Sequence, residues 1–183
     1  MLGIECRFIS DQEPAMTASS AFVLRSPDLS ADTLIPNKHV YNGFGYTGEN
    51  VSPALEWRGA PADTKSFALT VHDPDAPTGS GWWHWVLVNI PAGTTALPQG
   101  AGNPGSGLAP AGSREIATDF GEPGWGGPCP PQGDEPHRYV FTIHALGVER
   151  LDLPENATPA LVGFNLHFNT LAKASFTARY GRK

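Results

Sequence analysis

Phe67, Leu69 and Val71 alternate with Ser66, Ala68 and Thr70. A two-residue period of this kind predicts a half-buried strand over residues 65–73. It stops at Asp73-Pro74, because proline lacks a ladder donor and pushes its predecessor toward extended geometry. A second strand is predicted over Trp82 to Ile90, with Trp82, His84, Val86, Val88 and Ile90 on one face and Trp83, Trp85, Leu87 and Asn89 on the other. Apolar residues on both faces predict a central strand. A third runs from Arg138 to Leu146, where Tyr139, Phe141, Ile143 and Ala145 oppose Val140, Thr142, His144 and Leu146. His137 lies just before it with the parity of Tyr139. Shorter apolar runs at Ala21 to Leu24 and Leu55 to Trp57 predict two minor strands.

The period changes to helical only once. Thr158 suits a helix cap and Pro159 the first helical position. Leu161, Phe164, Phe168, Leu171 and Ser175 then recur at helical spacing. This predicts a helix to near Ser175 with that stripe as its apolar face, then a short strand over Phe176 to Tyr180. Elsewhere the chain is punctuated. Residues 42–53 hold three glycines and Ser52-Pro53, and residues 91–136 hold 11 glycines and 9 prolines in 46 positions. No helix of ordinary length survives that density, and a connection so long inside a compact domain is usually functional. The expected fold class is therefore mainly β with a late α-helix. Residues 1–20 read as a tail and 21–183 as one domain, with Met1 or Met16 as the start.

Composition narrows the partners. Twelve Lys and Arg stand against 18 Asp and Glu, and no basic run occurs. Such a surface repels nucleic-acid and anionic-membrane phosphates, so a bound anion must be held by a local site. No apolar run reaches the length of a membrane span, and the N-terminus lacks the pattern of a signal peptide. Cys6 and Cys129 have no CxxC neighbour, so two free thiols and a cytoplasmic, reducing location are expected.

Three polar side chains sit at strand ends: Asp73, His84 and His137. If the three strands are neighbours, these side chains converge at one mouth of the sheet, between rigid proline-rich walls. Two imidazoles can donate to an oxyanion, and a nearby carboxylate favours their protonated form. Asp73 would repel an anion directly, so its expected role is to orient a histidine. Asp75 reads as a turn residue, Arg138 as the partner of a carboxylate across the sheet, and His39, His72, His144 and His167 as structural.

Three motifs now occur in order. Asp73-Pro74-Asp75-Ala76-Pro77 resembles the DPDxP motif of the phosphatidylethanolamine-binding proteins, also called Raf kinase inhibitor-like proteins. Gly81-Trp82-Trp83-His84-Trp85 resembles the second motif of that family, and Pro130-Pro131-Gln132-Gly133 with His137-Arg138-Tyr139 resembles the third. Each is weak alone; three at predicted strand edges are specific. The resemblance covers residue 21 to Tyr180 and is to the compact bacterial YbhB/YbcL-type branch. It implies a large antiparallel β-sheet packed with a smaller sheet and a helix. It also implies a ligand pocket at Asp73, His84 and His137, lined by Pro74, Pro77, Trp82, Pro131 and Tyr139. The implied ligand is a small anion or phosphate head group, with no cofactor. A protein partner (a kinase or protease) and a homodimer are further implications. The chain ends soon after Tyr180, whereas mammalian members carry a longer C-terminal segment, so Raf-type inhibition is not carried over. Trp83 also departs from the histidine of mammalian members.

Other readings remain. Asp73, His84 and His137 could ligate a single metal ion, since two histidines and a carboxylate form a known iron set. The chain could be a protein-interaction module with an unused pocket. Thr78-Gly79-Ser80-Gly81 lacks the GxSxG elbow, which counts against a serine hydrolase. No catalytic constellation is evident.

Overall fold

The computed structural model describes residues 21–182; the expectations for residues 1–20, including Cys6 and Met16, fall outside them. The strands are β1 (Val23–Arg25), β2 (Leu55–Arg58), β3 (Ser66–Asp73), β4 (Trp82–Pro91), β5 (Ala96–Leu97), β6 (Arg114–Glu115), β7 (His137–Leu146) and β8 (Thr170–Tyr180), with the helix α1 (Pro159–Asn169) before the last. They form a five-stranded sheet in the order β6-β4-β3-β7-β8 and a three-stranded sheet in the order β1-β2-β5. Every named pairing is antiparallel. The mainly β fold with a large sheet, a smaller sheet and one late helix is as expected.

The alternation read from β3 and β7 decides what covers each face. Phe67, Leu69 and Val71 join Tyr139, Phe141 and Ile143 in one core with Leu24, Leu55, Trp57 and Leu97 of the small sheet. Ala68, Val86, Val88 and Leu146 join Val162 and Leu166 of α1 in a second core on the other face. The large sheet is thus the middle layer, buried on both sides, as the two apolar faces of β4 required.

Two expectations are corrected. Strict alternation along β4 fails, because its register against β3 slips between Val71 and His72 and again between Phe67 and Leu69. Trp85, Leu87 and Ile90 consequently share the small-sheet core, while Val86 and Val88 face the helix, with Trp83 packed against them. A bulge adds a residue to one strand and turns the following side chains to the opposite face. Asn89 carries the second irregularity in a left-handed conformation (φ 59°).

The helix ends at Asn169, not near Ser175, and β8 begins at once. Thr158 caps it as expected, accepting from the Leu161 N–H at 3.3 Å, with Pro159 following. Residues 170–180 then pair with β7 along its whole length, so ladder hydrogen bonds take a segment whose spacing also suited a helix. Most of the apolar stripe read from the sequence faces outward. Val162 and Leu166 are buried, whereas Phe164, Phe168 and Leu171 are 62, 69 and 49% exposed. This helix is apolar nearly all round, so its periodicity does not decide which side meets the sheet.

Candidate functional site

β3 ends where β4 and β7 begin, because both neighbours run antiparallel to it. Asp73 pairs with Trp82 across the β3–β4 ladder, and His72 with Val140 across the β3–β7 ladder. Asp73 and His137 keep the parity of the small-sheet core, so both point to the same side at the same end. His84 reaches that side next to the bulge. Bulges often re-aim a side chain beside a site, and this one places His84 over Tyr139, ring centroids 5.0 Å apart and nearly perpendicular. The three expected residues do converge: Asp73, His84 and His137, with Pro77, Trp82 and Pro131, line one cavity of about 150 Å³.

The β3–β4 connection is held by its own side chains. Asp73 Oδ1 accepts from the Asp75 N–H at 2.9 Å. The Arg138 guanidinium grips Asp75 through Nη2–Oδ1 (2.7 Å) and Nε–Oδ2 (3.0 Å), and the Arg138 backbone N–H adds a bond at 2.8 Å. These bonds, first of all the guanidinium's, hold the Asp75 carboxyl down at about 2. Both the turn role of Asp75 and the carboxylate partner of Arg138 are as the sequence suggested. Gly81 closes the turn at φ 75°, where a Cβ would stand 2.5 Å from the Asp73 carbonyl oxygen.

The two site histidines are held differently. His137 donates from Nδ1 to Asp73 Oδ2 at 2.7 Å, and its Nε2 lies 3.5 Å from Asp134 Oδ2. Asp73 therefore orients a histidine, as expected, and that histidine is His137. His84 instead donates from Nδ1 to the Gly126 carbonyl at 2.7 Å, while the Gly126 N–H donates back to the His84 carbonyl at 2.8 Å. Close backbone approach makes this clamp possible. A Cβ on Gly126 would sit 2.3 Å from the Phe120 ring, and one on Gly127 2.2 Å from the His39 carbonyl oxygen. Burial pushes the His84 imidazole down to about 4, against the opposing pull of Gly126 and Asp73. The expectation of two protonated imidazoles acting as matched donors is thus corrected for His84. It is neutral near pH 7, because its ring is sealed from water and its anchor is a carbonyl, not a carboxylate.

Two expected lining residues lie elsewhere. Tyr139 is fully buried one step inward along β7, beneath the His84 ring, and its hydroxyl has no partner among the described residues. Pro74 is on the opposite face, in a groove of about 630 Å³ with His72, His144 and His167. Alternation past Asp73 turns it there. Of the histidines read as structural, His39 is one plainly, bonded through Nδ1 to the Val51 carbonyl at 2.7 Å.

Sequence reasoning missed Phe44 and Cys129, which also line the cavity. Phe44 is 73% exposed, has a left-handed backbone (φ 55°) and stacks on Phe120. Phe120 in turn meets Trp82 and His84 edge-on. A bulky residue in a conformation that glycine favours is the signal that could have marked Phe44, but it is invisible without the backbone. Burial pushes the Cys129 thiol up to about 12, so it holds its proton near neutrality and is no nucleophile.

Among the described residues, no group of three or more His, Cys, Asp or Glu side chains is arranged to hold a metal ion. Asp73 uses Oδ2 on His137 and Oδ1 on the turn, so these two residues form a hydrogen-bonded relay to the turn, while His84 is held apart on the Gly126 carbonyl. No helix among the described residues is long and apolar enough to cross a membrane.

Comparison with known proteins agrees with the motifs. The phosphatidylethanolamine-binding protein family model matches residues 13–181. The chain is 56% identical over 159 residues to the UPF0098 protein YbhB of Escherichia coli, covering 86% of this chain and 98% of that one. It is 48% identical over 162 residues to YbcL of the same organism, covering 88% of each. The crystal structure of Escherichia coli YbcL, described as a member of the mammalian PEBP family, superposes with a TM-score of 0.87 at 47% identity, covering 90% of this chain and all of that one. With three motifs in place on the strand ends, the matching fold and these relatives, the chain belongs to the phosphatidylethanolamine-binding protein family.

Proposed function

We propose that the chain binds a small oxyanion, such as phosphate or a phosphate head group, in the cavity between Asp73, His84 and His137. His137 carries this reading. Its Nδ1 is anchored on Asp73, and its Nε2 already faces a carboxylate oxygen, that of Asp134. The environment of that nitrogen therefore accepts an oxyanion, and the anchored ring needs little reorganisation to meet one. Calorimetric titration with inorganic phosphate at pH 6.5 tests it. Binding should fall at least tenfold in His137→Gln, and no binding at millimolar phosphate would sink the reading.

Asp134 competes for the same nitrogen from a half-exposed position. Its removal should help the ligand: Asp134→Asn is expected to tighten phosphate binding about two- to fivefold, the size of a partly screened surface charge. Weaker binding in this variant would mean that Asp134 holds the His137 ring in place instead of opposing the ligand.

A second reading is a protein-interaction surface. It is favoured by Phe164, Phe168 and Leu171, exposed side by side where α1 meets β8. A homodimer, or modulation of a kinase or protease by binding, would use this patch without the cavity. Sedimentation of the wild type and of a Phe164→Ser/Phe168→Ser double variant separates the dimer from a monomer.

A further inference from the structure

His84 offers the cavity a lone pair and not a proton. A carbonyl oxygen can only accept, so the bond from Nδ1 to Gly126 places the ring proton on Nδ1. The ring is 2% exposed, and no carboxylate forms an ion pair with it among the described residues. Nε2 is then the nitrogen left to meet a ligand, and in the neutral ring it is an acceptor.

The other titratable groups around it do not reverse this. Asp73 favours a proton on His84 and His72 disfavours one, both less strongly than burial. His137 has Nδ1 committed to Asp73, and Cys129 and Tyr139 keep their own protons. An anion with no hydrogen would therefore set an oxygen lone pair against the Nε2 lone pair. An anion with one acidic O–H would donate to it and keep an unprotonated oxygen for His137.

We propose that the site selects anions that carry a proton, meaning hydrogen phosphate species and phosphate monoester monoanions, over sulfate and phosphodiesters. This rests on the oxyanion-site reading above and sharpens its ligand class. Sulfate has the charge and shape of the phosphate dianion, and a diester has the charge of a monoester monoanion, but neither has an O–H to give near neutrality. A monoester has its second pKa near 6, so its donor form declines above that pH.

The experiment is calorimetry on the full chain at fixed ionic strength, with phosphate, sulfate, O-phosphoethanolamine and glycerophosphoethanolamine at pH 6.5, 7.5 and 8.5. Phosphate and the monoester should bind at least tenfold tighter than sulfate and the diester at pH 6.5. The monoester's affinity should drop about tenfold per pH unit between 7.5 and 8.5, following its protonated fraction, whereas inorganic phosphate keeps an O–H as the dianion and should hold its affinity. The same pH slope would arise if His84 gained the proton instead, and sulfate distinguishes the two cases. Sulfate that binds as tightly as phosphate, or tightens in parallel as pH falls, overturns the selection while leaving an anion site intact. Failure of all four ligands to bind removes both readings. Nitrogen-15 spectra of the free protein at pH 7 give an independent check. The proposal requires Nδ1 protonated and Nε2 bare, and a protonated Nε2 overturns it.

Discussion

Asp73→Ala should destabilise the protein by about 2–4 kcal/mol and weaken phosphate binding at least tenfold. The carboxylate is buried and uses both oxygens, Oδ2 on the His137 ring and Oδ1 on the Asp75 N–H. Truncation leaves the His137 Nδ1–H buried without an acceptor, which costs about 1–3 kcal/mol, and loses the turn bond, worth about 1 kcal/mol more. The binding loss has a different origin: without its anchor, the imidazole no longer presents Nε2 in one direction. Asp73→Asn separates the two effects, because its amide oxygen can still accept one bond. It should recover about half of the stability. Urea unfolding read alongside calorimetry makes the comparison. A fully stable Asp73→Ala protein would show that the relay is not structural.

Glu115→Gln should do the reverse and stabilise the protein, by an amount that depends on pH. Glu115 lies on β6, where both its carboxyl oxygens accept from Trp85 Nε1, at 3.0 and 3.1 Å. Among the described residues, no cation forms an ion pair with it. Its neighbour Arg114 turns away to the carbonyls of Leu153, Pro154 and Glu155. Burial pushes the Glu115 carboxyl up from 4.5 to about 8. The folded chain thus holds a proton that the unfolded chain releases between those values. Stability from this group is intact below pH 4.5 and is lost as pH rises toward 8. The full shift corresponds to about 5 kcal/mol; partial exposure of the side chain reduces this to about 2–4 kcal/mol. Glutamine keeps an acceptor for Trp85 and has no proton to lose. Its gain should be near zero at pH 4.5 and largest at pH 8, read from urea midpoints. An equal gain at both pH values would rule out ionisation as the cause.

Much of this molecule is legible in its sequence because strands with one or two apolar faces write a two-residue period. β3 and β7 were readable to within a residue, and so was the capped start of α1. The three motifs also marked the residues that share the cavity, since polar residues at strand ends have few structural reasons to recur in that order. What failed was whatever depended on a neighbour. The bulges in β4 come from its register against β3, so the side facing each residue after His84 was not written in β4 itself. The end of α1 was decided by the β7 ladder, which claimed Thr170 onward. Its outward face was decided by where the sheet lay.

The candidate site divides the same way. The sequence by itself determined the fold class, the family through its three motifs, and the place of Asp73, His84 and His137 at strand ends; their convergence followed once β4 and β7 flanked β3. Only the tertiary structure decided what those residues are to one another. Asp73 anchors His137 and not His84, and the carbonyl that fixes the tautomer of His84 comes from Gly126, 42 positions along the chain. Phe44 arrives from another loop. Burial and hydrogen-bond direction are properties of surroundings, and the proton on His84 is set by them.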